Sequence, residues 1–307
     1  MTRPVKLHAW GGLAAQLSSL AYALWILENH DRPVLIAFHT GGTSHRSFAI
    51  EPLLRVAQEE WALPLDVEIV NDWSDASSSA PGIRQLGRLP ELSRRRIQLI
   101  RSRLSSKTIH RPIIMRSDLT DLLSSQTELI GYPLDWTIAT QMADAIGDLL
   151  TSTTLPNFLR GAGEDGVIAV HWRLGDYLDH PHARATHGIV PPESLMQAVD
   201  AKFSDASLSV VVYTDSPQRA LELFSQTPCT RPMEFRSGDI WNDLFDMSRA
   251  SNFLGSHSAV SFWVATAIRE ANPKASVFLP DRWFRTTPRG MGHVPPPAFP
   301  TYATSLH

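Results

Sequence analysis

The densest run of chemically capable side chains lies in VIAVHWRLGDYLDH, residues 167–180. Its first half, Val167 to Val170, is apolar and largely β-branched, as a buried strand should be. Its second half carries His171, Arg173, Asp176, Asp179 and His180, with Trp172 and Tyr177 between them. A guanidinium at a strand end suits planar, two-pronged recognition of a phosphate. A carboxylate such as Asp176 can serve acid–base chemistry or can hold the arginine in place. The second role fits Asp176 better, because a buried arginine needs a carboxylate partner. Two other strands end in the same style. VVVYTDSP stops in Thr214 and Asp215, and NFLGSHSAVSFW runs through Gly255, Ser256, His257 and Ser258 into a helix. Serine hydroxyls and N–H groups at a helix N-terminus make an anion site. Either serine taken alone reads better as a helix cap. Three polar strand ends converging on one sheet edge favour a ligand.

The usual phosphate fingerprints are missing. Gly11 and Gly12 precede a helix, but no GxGxxG or GxxxxGK[ST] occurs. There is no Asp-x-Asp triplet for a metal–diphosphate complex; the nearest, Asp66-Val-Glu68, sits inside a strand. Asp176, Asp179, His180, His182 and His187 could coordinate a divalent ion, yet their spacing matches no HExxH type. A mobile loop rich in histidine is the plainer reading, and neither a metal nor another cofactor is expected.

Composition narrows the classes. With 307 residues, 43% hydrophobic and 19% charged, the chain has ample core for one large or two medium domains. A formal net charge of −3 argues against nucleic acid as a partner, so any anion site is local. One cysteine, Cys229, excludes an internal disulfide framework and Cys-rich zinc sites, and a reducing cytoplasm is the default setting. Arg3 and Lys6 ahead of the run from Ala9 to Leu27 imitate a signal peptide, with Ala21-Tyr-Ala23 as a mock cleavage site. Against that, Leu13, Leu17, Leu20, Leu24 and Leu27 recur at helical spacing, while Gln16, Ser18 and Ser19 interrupt the run. This describes one apolar stripe of an amphipathic helix in the folded protein. No other segment approaches the ~20 apolar residues of a membrane span.

The elements that must position these residues alternate. A strand at VKLHAW leads through Gly11-Gly12 into the leucine helix; PVLIAF and LDVEIV are further strands, with a helix from about Glu51 to Trp61 between them. SRRRIQLIRSRL, residues 93–104, is a basic helix, either solvated or touching an anionic membrane or glycan. DWTIATQMADAIGDLL is another helix, and the Ser/Thr/Pro/Gly-rich residues 151–165 are the expected linker. Later strands are legible at residues 167–172, 208–213, 253–254 and 277–279, with helices starting near Pro192, Pro217, Trp241 and Ser258. The pattern is α/β with parallel pairing: an N-terminal α/β domain, 1–155, and a Rossmann-like C-terminal domain, 165–307. The proline-rich tail from residue 289 is expected to be an extended strap or disordered.

HWRLGDY resembles the HxRRxDY motif of the α1,2-fucosyltransferase family (glycosyltransferase family 11), and His187-Gly188 follows at a similar place. GGLAAQLSSLAYAL resembles that family's GGLGNQ loop and helix, and YTDSP, DLFDMSRASNFLGSHSAVSFWVA and VFLPDRWF resemble its later motifs in the same order. The resemblance implies a GT-B-like pair of Rossmann-type domains with parallel sheets. It also implies metal-independent, inverting transfer of fucose from GDP-fucose to a glycan or lipid-linked oligosaccharide, in surface polysaccharide synthesis. The enzyme would be cytoplasmic, with peripheral contact at the inner membrane face. By the same resemblance Arg173 grips the diphosphate, and His171 and Asp215 lie at the guanosine. Ser256, His257, Ser258 and Ser261 line the phosphate or sugar, and Gly12 and Gln16 form the acceptor-side loop that meets the donor. Leu174 stands where the family has a second arginine, Ala14 and Ala15 replace its Gly and Asn, and His257 replaces an Asn. These departures leave open another GDP-6-deoxysugar, another nucleotide sugar, or a binding protein without turnover. An inverting transfer needs a base. Asp176, Asp179, His187 and Glu193 are candidates by proximity to the motif, and Asp31 or His8 by domain position.

Overall fold

The computed structural model of the protein describes residues 4–39, 47–70, 108–114, 119, 128–133, 135–151, 166–285, 299–304 and 306. The chain divides into two compact units, Met1–Met142 and Ala143–His307. The basic stretch 93–104, nearly all of the expected linker and the proline-rich residues 289–298 lie outside the described residues.

In the first unit, β1 (Val5–Ala9), β2 (Val34–His39), β3 (Leu65–Val70), β4 (Thr108–Ile114) and β5 (Glu128–Pro133) form a five-stranded sheet of order β3-β2-β1-β5-β4. Every pairing in it is parallel. Helix α1 (Leu13–His30) follows the Gly-Gly turn, α2 (Glu51–Glu59) connects β2 to β3, and α3 (Trp136–Gln141) follows β5. Gly11 adopts φ +102°, a conformation that side chains rarely allow. The expectation of a single apolar stripe on α1 is corrected: from Leu13 to Ile26 every residue except Ala14 is buried. Its serines tolerate this because Ser18 Oγ donates to Ala14 O at 3.0 Å and Ser19 Oγ to Ala15 O at 2.9 Å.

The single helix expected at residues 135–150 is two helices, α3 and α4 (Ala143–Thr151), which fall in different units. In the second unit α4 precedes β6 (Val167–His171), α5 (Gly175–Asp179), α6 (Pro181–His187), α7 (Pro192–Lys202), β7 (Ser209–Tyr213) and α8 (Pro217–Phe224). Then come β8 (Met233–Arg236), α9 (Ile240–Ser248), β9 (Asn252–Gly255), α10 (Ala259–Ala271), β10 (Ser276–Pro280) and β11 (Thr301–Tyr302). Prolines open α6, α7 and α8, where a missing N–H costs nothing. The six-stranded sheet has order β11-β10-β9-β6-β7-β8 and is parallel throughout. Two parallel α/β sheets are therefore the architecture. The histidine-rich loop expected after Asp176 is instead the helix pair α5–α6.

Part of the tail is structural. β11 pairs with β10, and the buried Tyr302 hydroxyl donates to Gly255 O at 2.8 Å. Gly255 sits where β9 passes under α10, and a Cβ there would lie 2.6 Å from both Ser261 Cβ and Leu279 Cδ2. Gly255→Ala is expected to cost about 1–3 kcal/mol through overpacking, read as a lowered urea midpoint; an unchanged midpoint would mean that α10 can shift freely.

Candidate functional site

β6 is the first strand of the second sheet, and the chain builds outward to β7 and β8 on one side and β9, β10 and β11 on the other. The strand order therefore reverses between β6 and β9. In open parallel sheets, ligands gather outside the carboxyl ends of strands at such a point. His171, the last residue of β6, is in register with Tyr213 of β7 and Gly255 of β9. The three polar continuations, Trp172-Arg173-Leu174, Thr214-Asp215 and Ser256-His257-Ser258, consequently emerge side by side.

Arg173 is held by two carboxylates. Its Nε and Nη2 donate to Asp176 Oδ1 at 3.1 and 2.9 Å, and its Nη1 lies 2.8 Å from Asp215 Oδ2. Burial alone would lower the guanidinium's pKa, but Asp215 and Asp176 outweigh it, and the net shift is upward. Asp215 Oδ1 also accepts from the backbone N–H of Leu174 at 2.9 Å and of Gly175 at 3.1 Å. Gly175 permits this approach: a Cβ at that position would lie 2.3 Å from Asp215 Oδ2. The remaining N–H donors of the arginine stay available for a ligand.

The serines and histidines complete the edge. Ser256 ties two strand ends together, its N–H donating to His171 O at 2.9 Å and its Oγ accepting from Arg173 N at 3.2 Å. Ser258 caps α10, its Oγ accepting from Val260 N at 3.3 Å. His171 Nδ1 and Ser261 Oγ are 2.7 Å apart, both side chains buried. Burial pushes the His171 pKa down to about 4, with Asp215 opposing and Arg173 reinforcing, so this ring is neutral at ordinary pH. In this conformation the pair braces the strand end from inside. His257 is 1% exposed and its Nε2 lies 3.1 Å from Gly188 O. Its pKa falls to about 3, chiefly through burial. Beside it, Tyr177 and His187 stack with ring centroids 4.4 Å apart, and Phe284 lies 5.3 Å from His187. The Arg173 guanidinium carbon sits 5.8 Å from the Tyr177 ring centre. Sequence reasoning passed over Tyr177 and Gly175 as site residues; only their place beside Arg173 in HWRLGDY could have flagged them.

Two expectations change. Leu174 does not face this edge: its side chain is fully buried in the core with Trp172, Val190 and Leu195. An arginine in the same orientation would point into the core and not toward Arg173. Gln16 has no atom left for a donor sugar. Its Nε2 donates to Gly11 O and Ser47 O at 3.0 and 2.9 Å, while its Oε1 accepts from Ala49 N at 2.8 Å and Ile50 N at 3.3 Å. It fastens residues 47–50 to the loop after β1, and Gly12 is the N-cap of α1. Among the candidate bases, Asp31 is the left-handed C-cap of α1, and Glu193 Oε1 accepts from Thr227 Oγ1 at 3.0 Å. His8 is buried in the first sheet, 2.8 Å from His39 Nε2 and 2.9 Å from Glu128 Oε1, two partners no sequence spacing announced. Among the described residues, no group of three or more His, Cys, Asp or Glu could hold a metal ion, and no helix is long and apolar enough to cross a membrane.

No protein-family model matches the chain, and no curated protein matches it. The resemblance to glycosyltransferase family 11 is thus one of motifs. Solved structures to which the chain is similar include a glycosyl transferase of family 9 from Veillonella parvula, at 11% identity and TM-score 0.41, covering 98% of this chain and 86% of that one. The fucosyltransferase NodZ from Bradyrhizobium is 14% identical with TM-score 0.43, over 86% of this chain and 93% of that one. The E. coli heptosyltransferase WaaC with ADP is 11% identical with TM-score 0.44, over 98% of this chain and 93% of that one.

Leu174→Arg, which introduces the second arginine of the motif the chain resembles, is expected to bury an unpaired charge and destabilise the fold by about 3–5 kcal/mol. Chemical denaturation reads this directly. A variant of unchanged stability that binds nucleotide more tightly would place residue 174 at the ligand.

Proposed function

We propose that the chain is a GT-B-like glycosyltransferase that binds a nucleotide sugar at the carboxyl edge of the second sheet and passes the sugar, with inversion, to a hydroxyl of a glycan or lipid-linked oligosaccharide. The donor is GDP-fucose, and the reaction proceeds without a metal. One observation carries this reading: Arg173, clamped by Asp176 and Asp215, stands at the strand-order reversal beside the N-terminus of α10. The ordered run of family-11-like motifs supports the donor assignment.

The chemistry asks for such a group. Breaking the bond between sugar and diphosphate leaves negative charge on the departing phosphate, and a cation that tightens on that charge lowers the barrier. Arg173 supplies it from a fixed position, since Asp176 holds one edge of the guanidinium while other N–H donors face the ligand. The arriving diphosphate competes with Asp215 Oδ2 for Nη1, whereas Asp215 Oδ1 stays bound to the Leu174 and Gly175 amides. Asp215 then has one oxygen available for a guanosine hydroxyl or N–H. Asp176 acts through Arg173 as a positioning residue.

Thermal shift against GDP, UDP and ADP tests the nucleotide, and GDP release from GDP-fucose with mixed glycan acceptors tests transfer. Stabilisation by UDP but not GDP would overturn the donor assignment, and binding without release would overturn the transferase. Arg173→Lys is expected to lower kcat/KM about 10²–10³-fold, the cost of losing one transition-state donor, because an ammonium cannot reproduce the planar fork. Activity within a few-fold of the parent would remove Arg173 from the diphosphate.

A further inference from the structure

Among the described residues of the second unit, His257 holds a buried polar atom at the candidate site. His257 Nδ1 has no hydrogen-bond partner, and the residue is 1% exposed. Its state can be deduced. Gly188 O can only accept, so Nε2 carries the proton and donates to it at 3.1 Å. The ring is neutral, because burial holds its pKa far below the ordinary value. Nδ1 is therefore a bare lone pair, and since imidazole nitrogens point away from each other, it faces away from Gly188. A buried acceptor left without a donor is costly, and native proteins rarely leave one unmet.

Its surroundings say what meets it. His257 lies between Ser256 and the N-cap Ser258, at the N-terminus of the 13-residue α10. The Tyr177 ring is 5.3 Å from the His257 ring, and the Tyr177 hydroxyl reaches the His257 carbonyl at 3.5 Å. Tyr177 also lies against Arg173 on one side and stacks on His187 on the other. The His257 ring thus adjoins an aromatic wall that begins at the guanidinium. A site built this way, with apolar faces and one fixed polar atom, orients a small ring bearing a donor. A base is separated from the outer phosphate by a ribose and a second phosphate. A sugar bonded directly to a phosphate held by Arg173 falls within this short reach.

We infer that His257 Nδ1 accepts a hydrogen bond from a sugar hydroxyl of the nucleotide sugar, making His257 the residue that reads the sugar next to the diphosphate. This rests on the reading of the Arg173 edge as a nucleotide-sugar site. The two histidine nitrogens can be tested separately. In His257→Gln the amide nitrogen can replace Nε2 and keep the Gly188 bond, but nothing accepts at the Nδ1 position. In His257→Asn the amide oxygen can accept at the Nδ1 position, but the Gly188 bond is lost.

Calorimetric titration of each folded variant with GDP and with GDP-fucose separates the cases. The Gln variant is expected to melt like the parent and bind GDP-fucose about tenfold more weakly, the worth of one hydrogen bond; the Asn variant should bind within about threefold of the parent. If the Gln variant loses GDP-fucose but not GDP, the hydroxyl belongs to the transferred sugar; an equal loss of both assigns it to the ribose. A Gln variant that binds both like the parent, or an Asn variant as weak as the Gln one, overturns the inference. Failure of the parent to bind either ligand overturns the nucleotide-sugar reading itself and this inference with it.

Discussion

The Asp215 carboxylate joins the end of β7 to the end of β6, and the candidate site is arranged around that junction. One of its oxygens accepts from two backbone amides, Leu174 and Gly175, and the other pairs with Arg173. Hydrogen bonds to a charged acceptor contribute about 1.5–3 kcal/mol each, so the turn after β6 is fixed by a side chain from the neighbouring strand. The approach is so close that a Cβ at position 175 would force the Asp215 carboxylate to move. Arg173 then has little freedom: Asp215 and Asp176 set the plane of its guanidinium before any ligand arrives.

Packing beneath supports that junction. Trp172 and Leu174 flank Arg173 in sequence, and both are fully buried, with Trp172 Nε1 donating to Val190 O at 3.0 Å. The arginine is thus pinned on either side by core residues. On the far side, Ser256 and the His171–Ser261 pair tie β9 and α10 to the same strand end. Gly255 gives α10 the room to come that near. Rigid first contacts of this kind reduce the cost of orienting a ligand.

Much of this architecture was legible in the sequence. LDVEIV became β3 with the expected limits, and the helices opened by Pro192 and Pro217 begin at those residues. What escaped notice had weak local signals. β4 contains Pro112, which argues against a strand, and the ladder accommodates it by a register shift between His110 and Ile113. β5 carries Gly131 and ends in Pro133, β8 is a short edge strand, and β11 is only two residues long. In the site, Arg173, Asp176, Asp215 and the Ser256–Ser258 turn were recognisable as polar strand ends. Their orientations were not. Leu174 looked like a lost cation because motif spacing does not show which way a residue leaving a strand will turn. That one nitrogen of His257 is left without a partner depends on Gly188 O engaging the other, 69 residues away in sequence.

A crystal structure with GDP tests the account most directly. The expected result is a diphosphate on the Arg173 guanidinium beside the Ser256–Ser258 turn, with Asp215 still bonded to the Leu174 and Gly175 amides. Nucleotide bound away from Arg173, with its ion pairs to Asp176 and Asp215 unchanged, would contradict it.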